Sequence, residues 1–322
     1  MTLTPEQLAV RQTGLGASEI AAVAGLDPHR TPLDIWMLKR GLAEPFPGNE
    51  FTRWGNRLEA VIAGAYAEAR GVLLDTRDTL RHAGEPWMLA TPDRVVLDSA
   101  GAEERLLQVK NRGLRQADRW GEPGTDQVPD EVAAQCHWEM AVTGLALCDV
   151  AVLIGGNDFR IYTLRRDAEI EAALTGIGRR FWFDHVEAGV RPDPVAADGA
   201  ALARLFPTHD DLLLPATPEH VTLATQLLDV RNRISALEAD REALEVHLKA
   251  AIGEHAGLHL PNGRITWKAS RFARTTDWKA VVEDLRPFIE ADMAGATDSV
   301  IARHTTPKRG ARRFLVSVKE AE

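Results

Sequence analysis

The feature that most constrains this chain is a change of period. Up to Arg70 apolar side chains recur at helical spacing, in segments over about Thr4–Gln12, Ser18–Ala24, Thr31–Arg40 and Glu50–Arg70. Gly25, Gly41 and Gly71 stand as C-terminal stops, and Gly14-Leu15-Gly16 marks a turn. Then Val72–His82, Trp87–Leu97 and Arg105–Lys110 are short, β-prone and separated by turn residues, as in a meander of strands. Helical spacing returns over Asp130–Thr143 and yields to Val150–Ile154 and Phe159–Leu164, a hairpin closed by Gly155, Gly156, Asn157 and Asp158. It returns again over Asp167–Ala188. Helices, sheet, helix, sheet and helix in that order specify an α/β (α+β) fold with a central mixed sheet flanked by helices.

Arg191-Pro-Asp-Pro closes this first domain, expected over 1–194, and a connection over 195–216 follows. Residues 217–322 are expected to form a long helix and a small α+β appendage. In the helix Leu223, Leu227, Val230, Ile234, Leu237, Leu244 and Leu248 recur at steps of three and four, with Arg241 filling one slot. A single amphipathic helix packed on its own chain, a helical hairpin and an intermolecular coiled coil all satisfy that spacing. Beyond it come a hairpin at Pro261-Asn262-Gly263, a helix from about Asp277 and a last strand from Arg313.

Several function classes are excluded. Two cysteines, Cys136 and Cys148, make neither a disulfide framework nor a zinc site, which points to a reducing cytoplasm. The first residues lack a basic start and an apolar core, and no apolar run is long enough to span a bilayer, so neither secretion nor membrane insertion is expected. The net charge of −9 argues weakly against nucleic acid. From residue 263 onward, however, Lys and Arg outnumber Asp and Glu by 12 to 8, so the remainder is more acidic still and includes carboxylates able to gather around metal ions.

The chemistry concentrates in Ala90-Thr91-Pro92-Asp93 at a strand end and Gln108-Val109-Lys110 in the following strand. Positions 108 and 110 share a face because a strand repeats every two residues, so Asp93, the side chain at 108 and Lys110 converge if the strands are antiparallel neighbours. A hard cation such as Mg²⁺ takes oxygen ligands from one or two carboxylates and from substrate phosphate. Taken singly, each element has a plainer reading: a turn Asp, a solubilising Lys, a solvated helix acid at Glu59, a satisfied amide at Gln135, and a cap and a solvated cation at Ser18 and Arg11. Together, Arg11 and Ser18 around a Gly-rich turn that opens a helix would also suit a phosphate clamp.

Five ordered motifs then resemble the YqaJ-type viral recombinases related to phage lambda exonuclease. They are Arg11-x-x-Gly-Leu-Gly-Ala-Ser18, Trp54-Gly-Asn-Arg-Leu-Glu59, Thr91-Pro-Asp93, Leu107-Gln-Val-Lys110 and Ala134-Gln135-x-x-x-x-Met-Ala-Val-Thr-Gly144, within about residues 8–194. The resemblance implies a restriction-endonuclease-like core of the PD-(D/E)xK nuclease type and an Mg²⁺-dependent exonuclease, with Mn²⁺ as a substitute. Asp93, Gln108, the Val109 carbonyl and Glu59 would hold metal, Lys110 would be the catalytic lysine, and Gln135 would orient water or a ligand. Arg11, Ser18 and Thr91 would hold a 5′-terminal phosphate. The implied partners are double-stranded DNA ends, a single-strand annealing protein and further copies of the chain, arranged in some relatives as a ring. One position departs: the family usually carries Glu where this chain has Gln108. That leaves two alternatives, a DNA-end-binding or regulatory module with impaired catalysis, and an end-independent endonuclease.

Overall fold

The computed structural model describes residues 9–269 and a few isolated positions after them. The expected helix from Thr4, the helix from about Asp277 and the strand from Arg313 lie wholly or largely outside the described residues. Met1–Pro207 form one compact unit and Thr208–Glu322 a second.

The first unit opens on β1 (Leu15–Gly16), where a turn was expected, followed by α1 (Ala17–Val23), α2 (Pro32–Lys39) and α3 (Glu50–Arg70). The limits of α3 follow from its caps. Asn49 accepts the Thr52 N–H, and Gly71 takes a left-handed φ of 66° that stops the helix. The stretch expected as three strands is divided further, into β2 (Leu73–Asp75), β3 (Leu80–Arg81), β4 (Met88–Ala90), β5 (Arg94–Leu97) and β6 (Glu103–Arg112). Then come α4 (Asp130–Thr143), β7 (Leu147–Ile154), β8 (Asp158–Arg165) and α5 (Ala168–Arg180), which runs into a wider π-type turn over Phe181–Glu187. A last helix, α6 (Gly199–Leu205), falls in the stretch expected to be connection.

The central sheet has the order β2-β5-β6-β7-β8 and is mixed: only β6 and β7 run parallel. A parallel pair needs a crossover, and α4 lies in it. The two-residue period of β6 sorts its side chains. Leu106 packs with Val132, Cys136 and Met140 of α4, whereas Leu107 and Val109 pack with Ile62, Ala63 and Tyr66 of α3. Gln108 and Lys110 therefore project toward α4. A small sheet, β1-β4-β3, is tied to α4 by Trp138, whose indole N–H donates to the Leu89 carbonyl at 3.0 Å. The loop before β1 presses so close to this sheet that a Cβ on Gly14 would stand 2.3 Å from the Trp87 carbonyl.

In the second unit, α7 (Pro218–Ile252) is one continuous helix of 35 residues, followed by the hairpin β9 (Gly257–Leu260) and β10 (Gly263–Thr266). Its apolar stripe, with Leu223, Val230, Ile234, Leu237 and Leu244 among it, is exposed.

Candidate active site

Antiparallel pairing sets Arg94 of β5 across from Leu107 of β6. One step further along, Asp93 faces Gln108. The Val109 N–H donates to Asp93 Oδ2 at 2.8 Å, which fixes the direction of this carboxylate. Burial pushes the Asp93 carboxyl above the usual range, while Lys110 and the Val109 N–H pull the other way.

Behind Asp93, β6 and α4 share a network of side chains. Lys110 Nζ donates to Gln108 Oε1 at 3.1 Å and to Gln135 Oε1 at 2.8 Å. Gln135 Nε2 donates to Gln108 Oε1 at 2.9 Å and to Glu139 Oε1 at 3.1 Å. Gln108 Nε2 donates to Glu139 Oε2 at 2.6 Å. Sequence reasoning brought Asp93, Gln108, Lys110 and Gln135 to one place and missed Glu139. Its signal was an acid inside the apolar run Cys136–Val142, one helical turn after Gln135. Glu139 has no exposed surface, and burial, with Asp93 nearby, pushes its carboxyl up to about 8.

Glu59 reaches the same place from α3, where its Oε1 lies 2.9 Å from Arg94 Nη1. At the same cleft, Arg11 Nη2 donates to Ser18 Oγ at 2.7 Å, and Lys39, paired with Glu19 at 2.7 Å, donates to the Arg11 carbonyl. Thr91 Oγ1 shares a hydrogen bond with Thr79 Oγ1 at 2.9 Å. A cleft of about 200 Å³ is lined by Arg11, Ser18 and Thr91 together with Glu59, Asp93, Gln135 and Glu139. Gln108 and Lys110 do not line it, and the Val109 side chain faces the α3 core. Among the described residues no three His, Cys, Asp or Glu side chains form a closed metal cage.

Residues 6–146 match the YqaJ-like viral recombinase domain. This segment of the chain is thus similar to the YqaJ-like family. The matched segment takes in every cleft residue described above. Protein YqaJ of Bacillus subtilis (strain 168) is 25% identical over 273 residues, 82% of each chain. Protein R354 of Acanthamoeba polyphaga mimivirus is 28% identical over 150 residues, which are 45% of this chain and 27% of that one. Among solved structures, the alkaline exonuclease LHK-Exo from Laribacter hongkongensis aligns with a TM-score of 0.47 and 18% identity, over 58% of this chain and 94% of that one. No helix of the described residues is long and apolar enough to cross a membrane.

Proposed function

We propose that the YqaJ-like domain is a divalent-metal-dependent deoxyribonuclease that degrades the 5′-ended strand from duplex DNA ends, with Mg²⁺ as its cation and Mn²⁺ as a substitute. The product, a 3′ single strand, suits a single-strand annealing partner, in keeping with a recombinase family. The observation that carries this reading is that one cleft is lined both by carboxylates and by Arg11, Ser18 and Thr91.

The donor set fits a hard cation. Asp93, Glu59 and Glu139 offer oxygens to one cavity, and Mg²⁺ characteristically takes one or two carboxylates and completes its shell with water and substrate phosphate. Bound there, the cation polarises the phosphodiester and offsets the charge that builds on it. Asp93 is aimed by the Val109 N–H. Lys110, steadied by two amide oxygens, supplies a positive charge behind the acids to orient the attacking water and draw in phosphate. Arg11 makes a charge-assisted contact to the terminal 5′ phosphate, with Ser18 and Thr91 as hydroxyl donors. An oligomeric ring with an acidic outside and a basic bore would reconcile DNA binding with the charge of −9.

A second reading, a DNA-end-binding module without efficient hydrolysis, is favoured by the amide at 108, whose oxygen is already engaged by Lys110 and Gln135. One assay separates the readings: linear and covalently closed duplex DNA, each with Mg²⁺, Mn²⁺ or EDTA. The proposed exonuclease digests the linear DNA in either metal, spares the closed circle and stops in EDTA. Cutting of the closed circle would make it an endonuclease, and binding without cutting would make it the end-binding module.

A further inference from the structure

The amide at Gln108 leaves strand β6 without a charge at the position facing Asp93. Its oxygen accepts hydrogen bonds from both Lys110 and Gln135, which uses both lone pairs, and its N–H points at Glu139. Gln108 is thus a poor donor to a cation and a good orienting group for a neighbouring acid. That acid is placed differently. Glu139 lines the cleft with Asp93, and Gln108 does not.

The partners of Glu139 are incomplete for an internal anion. Each carboxylate oxygen takes one N–H, from Gln108 at 2.6 Å and from Gln135 at 3.1 Å, and both donors are neutral amides. Among the described residues no Lys or Arg nitrogen forms an ion pair with it, whereas the other helix-borne acid of the cleft, Glu59, is paired with Arg94. A carboxylate offers about four acceptor sites, so about two remain open. A buried charge is stable only when paired or when it coordinates a metal.

We propose that Glu139 supplies, from α4, the carboxylate that strand position 108 lacks, so that Asp93 and Glu139 are the acid pair that holds the cation, with Gln108 and Gln135 as positioning residues that aim Glu139. This rests on the metal-dependent reading above. In this chain the helix carries the acid and the strand the amide of one hydrogen-bonded pair.

The test is Mn²⁺ binding to the full-length chain, read as loss of the free-Mn²⁺ paramagnetic resonance signal, alone and with a nuclease-resistant phosphorothioate duplex. Glu139→Gln should weaken Mn²⁺ binding at least about tenfold, the scale on which disturbed ligand shells lose metal. The exchange variant Gln108→Glu/Glu139→Gln, which keeps the hydrogen bond and puts the acid on the strand, should recover most of that loss. Wild-type binding by Glu139→Gln, or a folded exchange variant that binds no better than Glu139→Gln, overturns the inference. Should Glu139→Gln fail to fold, the exchange variant decides alone: folded and without Mn²⁺, it overturns the inference. Asp93→Asn distinguishes the two levels. If it loses Mn²⁺ while Glu139→Gln does not, only the role of Glu139 falls; if neither loses it, the metal site itself falls.

Discussion

Asp149 and Glu139 are the two acids with no exposed surface among the described residues, and they lie on opposite faces of the same sheet. Asp149, on β7, faces α3. It accepts from the Tyr66 hydroxyl at 2.5 Å and the Thr163 hydroxyl at 2.7 Å, and Arg105 stands 3.4 Å away. Burial, with Asp149 beside it, holds the Tyr66 hydroxyl well above its usual range, so it remains a donor. That carboxylate has three partners inside the protein. Glu139, facing β6 from α4, has two amide donors and an open cleft in front of it. An acid completed internally serves the fold; an acid left incomplete beside a cleft is available to something that enters. The two faces of the sheet thus divide architecture from chemistry.

The largest effect should come from the face that holds Glu139. Asp93→Asn and Lys110→Ala should each lower DNA cleavage by about a thousandfold or more, since groups that act as one unit lose most of the rate when any member goes. Circular dichroism should show both folded. Retention of half the wild-type rate in either variant would remove that residue from the unit.

On the other face the loss should be of stability. Asp149→Ala leaves the Tyr66 and Thr163 hydroxyls without their acceptor and Arg105 with Glu104 alone, and breaking a buried ionic group costs about 3–5 kcal/mol. At about 2–4 °C per kcal/mol for a unit of this size, the melting temperature should fall by roughly 10 °C. If Asp149→Ala melts like wild type, the contrast between the faces is false.

A smaller effect, of opposite sense, is expected at Glu139 in EDTA. Its carboxyl titrates near 8 in the fold against 4.5 as an ordinary glutamate, so the folded state holds the proton more tightly. The stability this contributes is complete below pH 4.5 and is lost as the pH rises through 8, at up to about 1.4 kcal/mol per pH unit. Thermal melts between pH 5.5 and 8.5 should therefore fall more steeply for wild type than for Glu139→Gln. Parallel pH profiles would contradict the unpaired state of Glu139.

The smallest effect concerns Arg11 and Ser18 in the cleft lining. Arg11→Ala should remove any preference for 5′-phosphorylated over 5′-hydroxyl duplex ends, a contact worth about 1.5–3 kcal/mol. Competition between the two ends for the wild-type protein measures that preference, and its absence there would release Arg11 and Ser18 from the proposed role.

What was legible in the sequence followed local rules. The limits of α3 and α4 are set by Asn49, Gly71 and Gly144, residues within the helices or at their ends, so the expected and observed spans coincide. The meeting of Asp93, Gln108 and Lys110 needed only the strand period and one antiparallel pairing. What was not legible depended on distant partners. Val72–Leu97 looked like two strands, yet its four pieces are shared between two sheets, a choice made by β1 and β6 rather than by local alternation. The helix over 199–205 was hidden in a Pro- and Asp-containing stretch, and Ala201, one of its members, is buried in the core around Trp138. Glu139 was passed over because its meaning lies in Gln108, 31 residues away in the chain. A single acid among Cys136, Trp138 and Met140 was the local trace of that distant contact.

The most direct test of the central claim, that the acids and Arg11 of this cleft work together as a metal-dependent 5′ exonuclease, is nucleotide release from a linear duplex labelled at its 5′ or its 3′ end, with Mg²⁺ and with EDTA. The account predicts early release of the 5′ label in Mg²⁺, retention of the 3′ label until late, and no release of either in EDTA or by Asp93→Asn. Release that persists in EDTA, or that begins at the 3′ label, would contradict it.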